Sequence, residues 1–379
     1  ASVVPITPGA QPLTVKSGGA AVSLLTAGNN GLRITESTST TVSAAIGVGV
    51  HPQTTFTNTV NGSPANSVAA NIVGATISGG GFLNFTGPPA HTNYVGGHFG
   101  TVGGGLENSA SGFAGVVSGG RLNGADGWYA SVAGGTGNGA TGTYSTIGGG
   151  WNNSATEGSA TIGGGRFNGA TGQSAVVGGG ESNFASSTTA AVGGGYNNIA
   201  SGPSSVVGGG GSNRAFGQSS TVSGGRSNTA TGFYSTVGGG RDNIAEGDYS
   251  VAMGYRAKTL GNGSFQFADS SNFDFSSSTD NAFRVRATGG VRFVTDIDGT
   301  GATTWSCAAF AGAGWSCSSD RNLKQGLKKL DGKKVLAKLA AMPVYQWQPK
   351  GQNAHVKHVG PMAQDFMKAF GVGDDDKMI

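Results

Sequence analysis

Between Val102 and Ala252 the apolar and polar positions recur with a period of fifteen residues. Written in rows of fifteen, the first column holds Val102, Val117, Val132, Ile147, Ile162, Val177, Val192, Val207, Val222, Val237 and Ala252. The seventh column is Asn108, Asn123, Asn138, Asn153, Asn168, Asn183, Asn198, Asn213, Asn228 and Asn243, and the ninth is alanine in every row from Ala110 to Ala245. Glycine fills the third and fourth columns of every full row. A repeat this short and regular predicts a solenoid in which each copy stacks on the next. Fifteen residues are too few for a helical hairpin; they suit one coil of a β-roll, with two short strands and two tight turns. The branched aliphatics then fill a narrow interior, and alanine sits where the coil is too thin for anything larger. Stacked asparagines are expected to bond amide to amide along the axis and to tolerate left-handed backbone. Glycine in the eleventh column, from Gly112 to Gly247, is expected to supply the second turn. Glu157 and Ser187 break that column, with Gly158 expected to take over in its row. At a strand spacing of about 4.8 Å, eleven such coils make a rod of roughly 50 Å.

The glycine triplets exceed what turns require. A ladder without Cβ atoms permits another backbone to approach closely, and a coil this thin buries little by itself. Both points predict several chains with their glycine faces on a common axis. A flexible Gly/Ser linker has no reason to keep unbroken asparagine and alanine columns. Collagen needs glycine at every third residue, and calcium-binding nonapeptide rolls need an aspartate ladder; neither pattern is present. A threonine-ladder ice binder would want a full threonine column, whereas only Thr146, Thr161, Thr221 and Thr236 share one.

Residues 250–264 continue as Ser250-Val251-Ala252-Met253-Gly254, then Ala257, Gly261 and Ser264, a step of fourteen from Ser250 to Ser264. This resembles the Ser-Val-Ala-Ile-Gly…Ala…Gly head repeat of YadA-like trimeric autotransporter adhesins, over about residues 95–268. The resemblance implies a trimeric left-handed parallel β-roll and leaves the ligand open.

The fold class read from these patterns is mainly β: a parallel β-roll or β-solenoid of fifteen-residue repeats, trimeric, with an N-terminal β domain and a small α/β C-terminal segment. Residues 1–76 read as an N-terminal β cap or attachment domain, with strands at Leu13-Thr14-Val15 and Leu32-Arg33-Ile34-Thr35. Residues 77–268 are the Gly-rich repeats, and Pro88, Pro89, His91 and His98 read as a surface loop, since a metal site would need more ligands. Residues 269–318 form a β connector. There, residues 282–287 and 290–295 alternate as strands, with Gly289-Gly290 as the turn between them. Trp305-Ser306-Cys307 and Trp315-Ser316-Cys317 repeat one tripeptide, and these are the only cysteines of the chain. A Cys307–Cys317 disulfide across a hairpin is the reading, with a reduced buried pair as the alternative; the disulfide would place the chain in an oxidising compartment.

Residues 319–379 change character. Ser319-Asp320-Arg321-Asn322-Leu323-Lys324 precedes an amphipathic helix that Asp331 can cap and Pro343 ends, with Val335, Leu336 and Leu339 on one face. Val344-Tyr345-Gln346-Trp347 reads as a strand, and Gly360-Pro361-Met362-Ala363-Gln364-Asp365-Phe366 opens a second helix. The set resembles the start of the C-terminal intramolecular chaperone domain of endosialidases and phage tail fibres: Ser-Asp-x-x-Leu-Lys, then Tyr-x-Trp, then Gly-x-x-Ala-Gln. The resemblance implies a domain that trimerises the chain, assists β-helix folding and cuts itself off after the serine. By that match Ser319 is the cleavage serine, Lys324 its basic partner and Asp320 lies across the scissile bond; a lysine can activate a serine when its pKa is lowered. Otherwise Lys324 lies on a solvated face. The family's long trimer-clasping helices do not appear before Ile379, and residues 320–379 are still attached, so this chain is expected to be uncut, inactive or the first part of a longer one. Its start at Ala1 fits a removed signal peptide or a trimmed chain.

Charge refines the picture. The whole chain is +4, but residues 320–379 hold 11 Lys/Arg against 6 Asp/Glu, and the other 319 residues hold 12 against 13. The rod has no basic stripe, which argues against nucleic acid as a partner. No apolar run reaches the length of a membrane helix. No metal site and no cofactor is expected: the histidines are scattered, and the glycine runs lack the Lys-Ser or Lys-Thr of a phosphate loop. The function expected is an extracellular structural fibre, adhesin-like, secreted or at the cell surface. A phage tail fibre, hence a virion component, is the first alternative. A glycan-cleaving tailspike is the second, needing a carboxylate pair from Glu107, Asp126, Glu157, Glu181, Asp242, Glu246 and Asp248. The partners expected are two further copies of the chain and a surface glycan or protein receptor. The binding surface is expected on the variable fifth column, at Trp151, Arg166, Tyr196, Arg226 and Arg241. Aromatics recur in the twelfth and thirteenth columns, at Trp128, Tyr129, Tyr144, Phe233, Tyr234 and Tyr249, where structural packing is the expected role of the thirteenth.

Overall fold

The computed structural model describes residues 58–82, 91–297, 299–309, 315–317, 321, 324–348, 355 and 357–372, with the backbone of Thr14–Ser17, Ala20–Thr26 and Leu32–Thr35. Those three N-terminal strands pair antiparallel in sequence order. The chain divides into two units, Ala1–Thr288 and Gly289–Ile379.

The first unit is a parallel β-solenoid. Two sheets, of 15 and 14 strands, take alternate strands of the chain, and each strand pairs with the one a full coil away. The register is fifteen residues throughout the repeat: Val117 pairs with Val132 and Ala125 with Ala140. Most strands are two residues long because the outer residue of each faces solvent while the inner one enters the core, after which a turn must follow. The first and ninth columns are 0–1 % exposed, and a fourteenth column of Ala130, Ala160, Ala175, Ala190 and intervening serines joins them. The ladders extend beyond the 77–268 span of the sequence reading, from Thr59 to Arg286.

The asparagine ladder works differently from the amide-to-amide stack expected of it. Each Asn Oδ1 accepts from the backbone N–H of the asparagine one coil on, at 2.9–3.1 Å. Each Nδ2 from Asn108 to Asn228 donates to two glycine carbonyls, four residues back and twelve ahead: Asn168 reaches Gly164 O and Gly180 O, both at 2.9 Å. Direct amide contacts join only some pairs, such as Asn138 Nδ2 to Asn123 Oδ1. The ladder also runs on past the repeat, to Asn93 and Asn66 at one end and to the N–H of Ala257 at the other. Nor do these asparagines take the left-handed backbone. The residue before each does, whatever its type: Leu122, Phe167 and Asp242 have φ of 56–57°. The side-chain bonds fix the turn and override the local cost of about 1–2 kcal/mol.

Glycines of three columns lie tight against the next coil inside one chain; a Cβ on Gly148 or Gly163 of the second column would overlap Gly163 O or Gly178 O. Fourth-column glycines have φ between 85° and 96°, and a Cβ there would overlap the carbonyl oxygen of the next coil's glycine. A Cβ in the eleventh column would meet the next coil's carbonyl in the same way. The eleventh column therefore answers a close approach, and the positive φ of the second turn falls on the thirteenth, at Tyr129, Tyr144 and Tyr249 among others. Gly158 does not take over from Glu157, since a Cβ on it would meet nothing nearer than 3.9 Å. Much of the glycine excess assigned to neighbouring chains is thus used by the next coil. Only the third column has an open Cβ position, with nothing nearer than 3.8 Å.

The last coils depart from the fifteen-residue length. Ala252 pairs with Gln266, a step of fourteen, and Gln266 with Arg284, a step of eighteen. Phe283–Arg286 is consequently the final parallel strand, with Phe283 stacked on Phe265 at 5.0 Å. It does not form the hairpin with residues 290–295 expected from alternation. Alternation marks a strand but not its partner, and the open end of the solenoid offered one. Arg286 then ties the end down, bonding Asp269 Oδ1 at 2.9 Å and the carbonyls of Phe273, Ser271 and Tyr255.

The second unit holds an antiparallel three-stranded sheet, Val291–Ile297, Thr303–Ala309 and Trp315–Cys317. Helix α1 spans Gly332–Ala341, capped by Asp331, whose carboxylate accepts from Lys333 N at 2.9 Å. Tyr345–Trp347 pairs antiparallel with His358–Gly360, and helix α2 spans Ala363–Phe370, closed by Gly371 at φ 62°. Lys338 of α1 donates to Ala369 O at 2.6 Å, which joins the two helices. No helix among the described residues is long and apolar enough to cross a membrane.

Candidate functional site

Side chains capable of recognition gather on the two turn edges of the solenoid. The first is the fifth column. Leu106, Arg121, Thr136, Trp151, Arg166, Glu181, Tyr196, Gly211, Arg226 and Arg241 bridge one to the next in register, so the five residues singled out from the sequence lie on one line. Each fifth-column N–H donates to the next coil's glycine carbonyl, leaving the side chain to project outward. Trp151 is 47 % exposed and packs on Phe167 at 4.7 Å; Tyr196 is 49 % exposed and lies over Gly211. Arg166 pairs with Glu181 at 2.7 Å, and Arg241 with Asp242 at 3.2 Å. Glu107 bonds both His91 and Arg121, and the His91 bond, with Arg121 behind it, holds its carboxyl below the usual range. That direction is the reverse of what a general acid for glycan cleavage needs.

The second edge is the twelfth and thirteenth columns. Its tyrosines stack on one another outside the coil instead of packing into it. Tyr129 and Tyr144 lie parallel within 4°, 5.0 Å apart, and Tyr234 and Tyr249 within 6° at 5.3 Å. Phe99 and Phe113 join the first group, at 5.5 Å from each other and 5.5 Å from Phe113 to Tyr129. Phe99 lies before the repeat as read from the sequence, but counting the register back from Val102 places it in the thirteenth column.

Charge separates the edges. Within the repeat all five arginines lie in the fifth or eighth column, whereas the tenth to thirteenth columns carry Asp126, Glu157, Glu246 and Asp248 and no basic residue. Among the described residues no three His, Cys, Asp or Glu side chains gather as metal ligands would.

In the second unit Cys307 and Cys317 face each other across the strand pair and are joined by a disulfide, with Cα atoms 3.9 Å apart. Lys324 is exposed, and its backbone N–H donates to Arg321 O at 3.2 Å. Ser319 and Asp320 lie outside the described residues. Residues 319–372 match the family model described as chaperone of endosialidase, which begins at that serine. No curated protein matches the chain. Fold and match together describe a β-solenoid protein whose residues 319–372 are similar to the chaperone-of-endosialidase family.

Proposed function

We propose that the chain is one strand of a homotrimeric fibre of the tail-fibre kind, whose solenoid presents its fifth-column edge to a receptor on a target surface. The observation that carries this reading is the joining, in one chain, of a regular solenoid to a region matched by the endosialidase chaperone family. A solenoid with a chaperone attached suits a protein whose thin coils must be brought together before they can stack. The third column, open to solvent along its length, is the face on which copies meet. Trp151, Arg166, Tyr196, Arg226 and Arg241 form the receptor surface, a glycan or a protein. Self-cleavage follows Ser319, with Lys324 as its activating base and Asp320 on the leaving side. The fibre is extracellular or part of a virion, in keeping with the Cys307–Cys317 disulfide. A cell-surface adhesin is the second reading, favoured by the fourteen-residue step from Ala252 to Gln266.

Light scattering on the full chain tests the assembly; a monomer mass would overturn it. Alanine at Trp151, Tyr196 and Arg226 together should abolish surface binding. Mass spectrometry of the natural protein reads the cut: a C-terminus at Ser319, lost in Ser319→Ala and slowed in Lys324→Ala, is the expected result.

A further inference from the structure

The second turn edge has no part in that reading, and its chemistry is specific. From Phe99 to Tyr144 five aromatic rings form one continuous patch over successive coils, with centroid separations of 5.0–6.0 Å. These rings stand in solvent: Trp128 is 63 % exposed and Tyr144 59 %. A solvated aromatic patch on an otherwise small-residue surface marks a contact site. The left-handed backbone at Tyr129 and Tyr144, with φ of 57° and 59°, turns these side chains away from the coil, where they contribute nothing to its core.

The surrounding polar groups narrow the ligand. Asp126 lies two residues before Trp128, Glu157 is exposed two coils further on, and Thr141 and Thr143 precede Tyr144. Carboxylates and hydroxyls accept and donate to alcohol groups, and no lysine or arginine stands on this edge to attract an anion. Aromatic faces carry negative quadrupole density that attracts the polarised C–H groups of a pyranose ring. The coil rise of about 4.8 Å is close to the advance per residue of an extended pyranose chain, so sugars laid along the rod meet successive rings.

We propose that the edge around Trp128, Tyr129 and Tyr144 is a binding site for an uncharged glycan chain running along the solenoid axis. Trp128 is the stacking platform, the hydroxyls of Tyr129 and Tyr144 hydrogen-bond the sugar, and Asp126 accepts from its alcohol groups. The four carboxylates turn acidic polysaccharides away. Phe233, Tyr234 and Tyr249 repeat the arrangement in smaller form, with Glu246 and Asp248 beside them. Six coils separate Tyr144 from Tyr234, about 29 Å. One long glycan can therefore engage both patches and gain from their linkage. The site rests on the reading of the chain as a displayed fibre.

The test is calorimetric titration of the intact chain with maltohexaose, cellohexaose, mannohexaose and the N-acetylglucosamine hexamer, beside a sialic acid trimer. At least one neutral hexamer should bind and the acidic trimer should not. Trp128→Ala with Tyr144→Ala should weaken that binding about tenfold or more. Phe184→Ala, an exposed aromatic on the face of the second sheet, should change it less than twofold. Circular dichroism checks that the variants keep the solenoid. The proposal is overturned if no neutral hexamer binds, if the acidic trimer binds as well as the best neutral one, or if Phe184→Ala costs as much as the double variant. A fall in oligomer mass for the double variant would make the edge a subunit contact and overturn it too. Surface binding that survives the double variant but is lost with Trp151, Tyr196 and Arg226 leaves the fibre reading intact and removes this site. A neutral glycan held at Trp128 by a monomer does the reverse.

Discussion

The solenoid and the C-terminal unit use apolar side chains in opposite ways. In the solenoid, Val177, Ala185 and their equivalents are 0 % exposed, and every coil covers its neighbour. In the second unit neither α1 nor α2 has a buried residue, and Leu336 is 67 % exposed, with Leu330, Leu339, Val344 and Val359 also in solvent. One region completes its core within a single chain; the other displays the apolar surface that a core would use. Stability is therefore expected to reside in the rod and assembly in the C-terminal unit, and mutations should separate the two.

The largest effect is expected where a coil has no room. In Gly180→Ala the new Cβ meets Gly195 O from a backbone at φ 89°. Left-handed backbone costs about 1–2 kcal/mol for a residue with a Cβ, and the overlap adds about 1–3 kcal/mol as the coils shift. Denaturant unfolding of the rod should lose both, with no change in the C-terminal unit's own signal. Next comes Asn168→Ala, which removes acceptors and donors from Asn183 N, Gly164 O and Gly180 O at once. The two carbonyls can turn to water, but the buried N–H cannot, so about 2–3 kcal/mol is expected. An equal loss from Asn152→Ala, the neighbour outside the ladder, would remove the ladder's special role.

These two residues also mark what could be read in advance. The valine, asparagine and alanine columns were legible because each row places the same side chain in the same packing environment, so repetition stands in for structure. The purpose of the columns was less legible. Asn168 reads as a stacking amide, yet its bonds go mostly to backbone, since the carbonyls it serves belong to residues far off in sequence. Positive φ at Leu122 and Phe167 has no signal in residue type, because the ladder imposes it against propensity. The thirteenth-column tyrosines read as packing residues; only the direction of the left-handed turn shows that they face outward. Asp331 and Pro343 framed α1 correctly because caps and breakers act through nearest neighbours.

A smaller effect on stability, and a larger one on assembly, should come from Leu336→Ser with Leu339→Ser. Both side chains are exposed in the single chain, so rod unfolding should move by less than about 0.5 kcal/mol. Oligomer recovery after refolding should fall. If the rod's midpoint dropped with it, the division of labour between the two regions would be wrong.

The smallest effect concerns pH and the closing coil of the rod. The Thr288 N–H, above all, holds the Asp269 carboxyl far below the usual carboxylate range, with Ser271 adding to it against a desolvation cost. Its ion pair with Arg286 ties the same loop. A carboxyl more acidic in the folded chain binds its proton more readily when unfolded, so folding favours the ionised form. The contribution is fully present above the unfolded value of about 4 and is lost as pH falls toward the folded one. Glu107, lowered by His91 and Arg121, has the same sign near the other end. Thermal unfolding of the intact chain from pH 6 down to pH 2 should therefore show a falling midpoint. Asp269→Asn should start lower at pH 6 and fall less steeply, because an amide keeps some hydrogen bonds but does not titrate. Parallel curves for the two proteins would place the acid sensitivity elsewhere in the chain and leave Arg286, not Asp269, as the group that closes the solenoid.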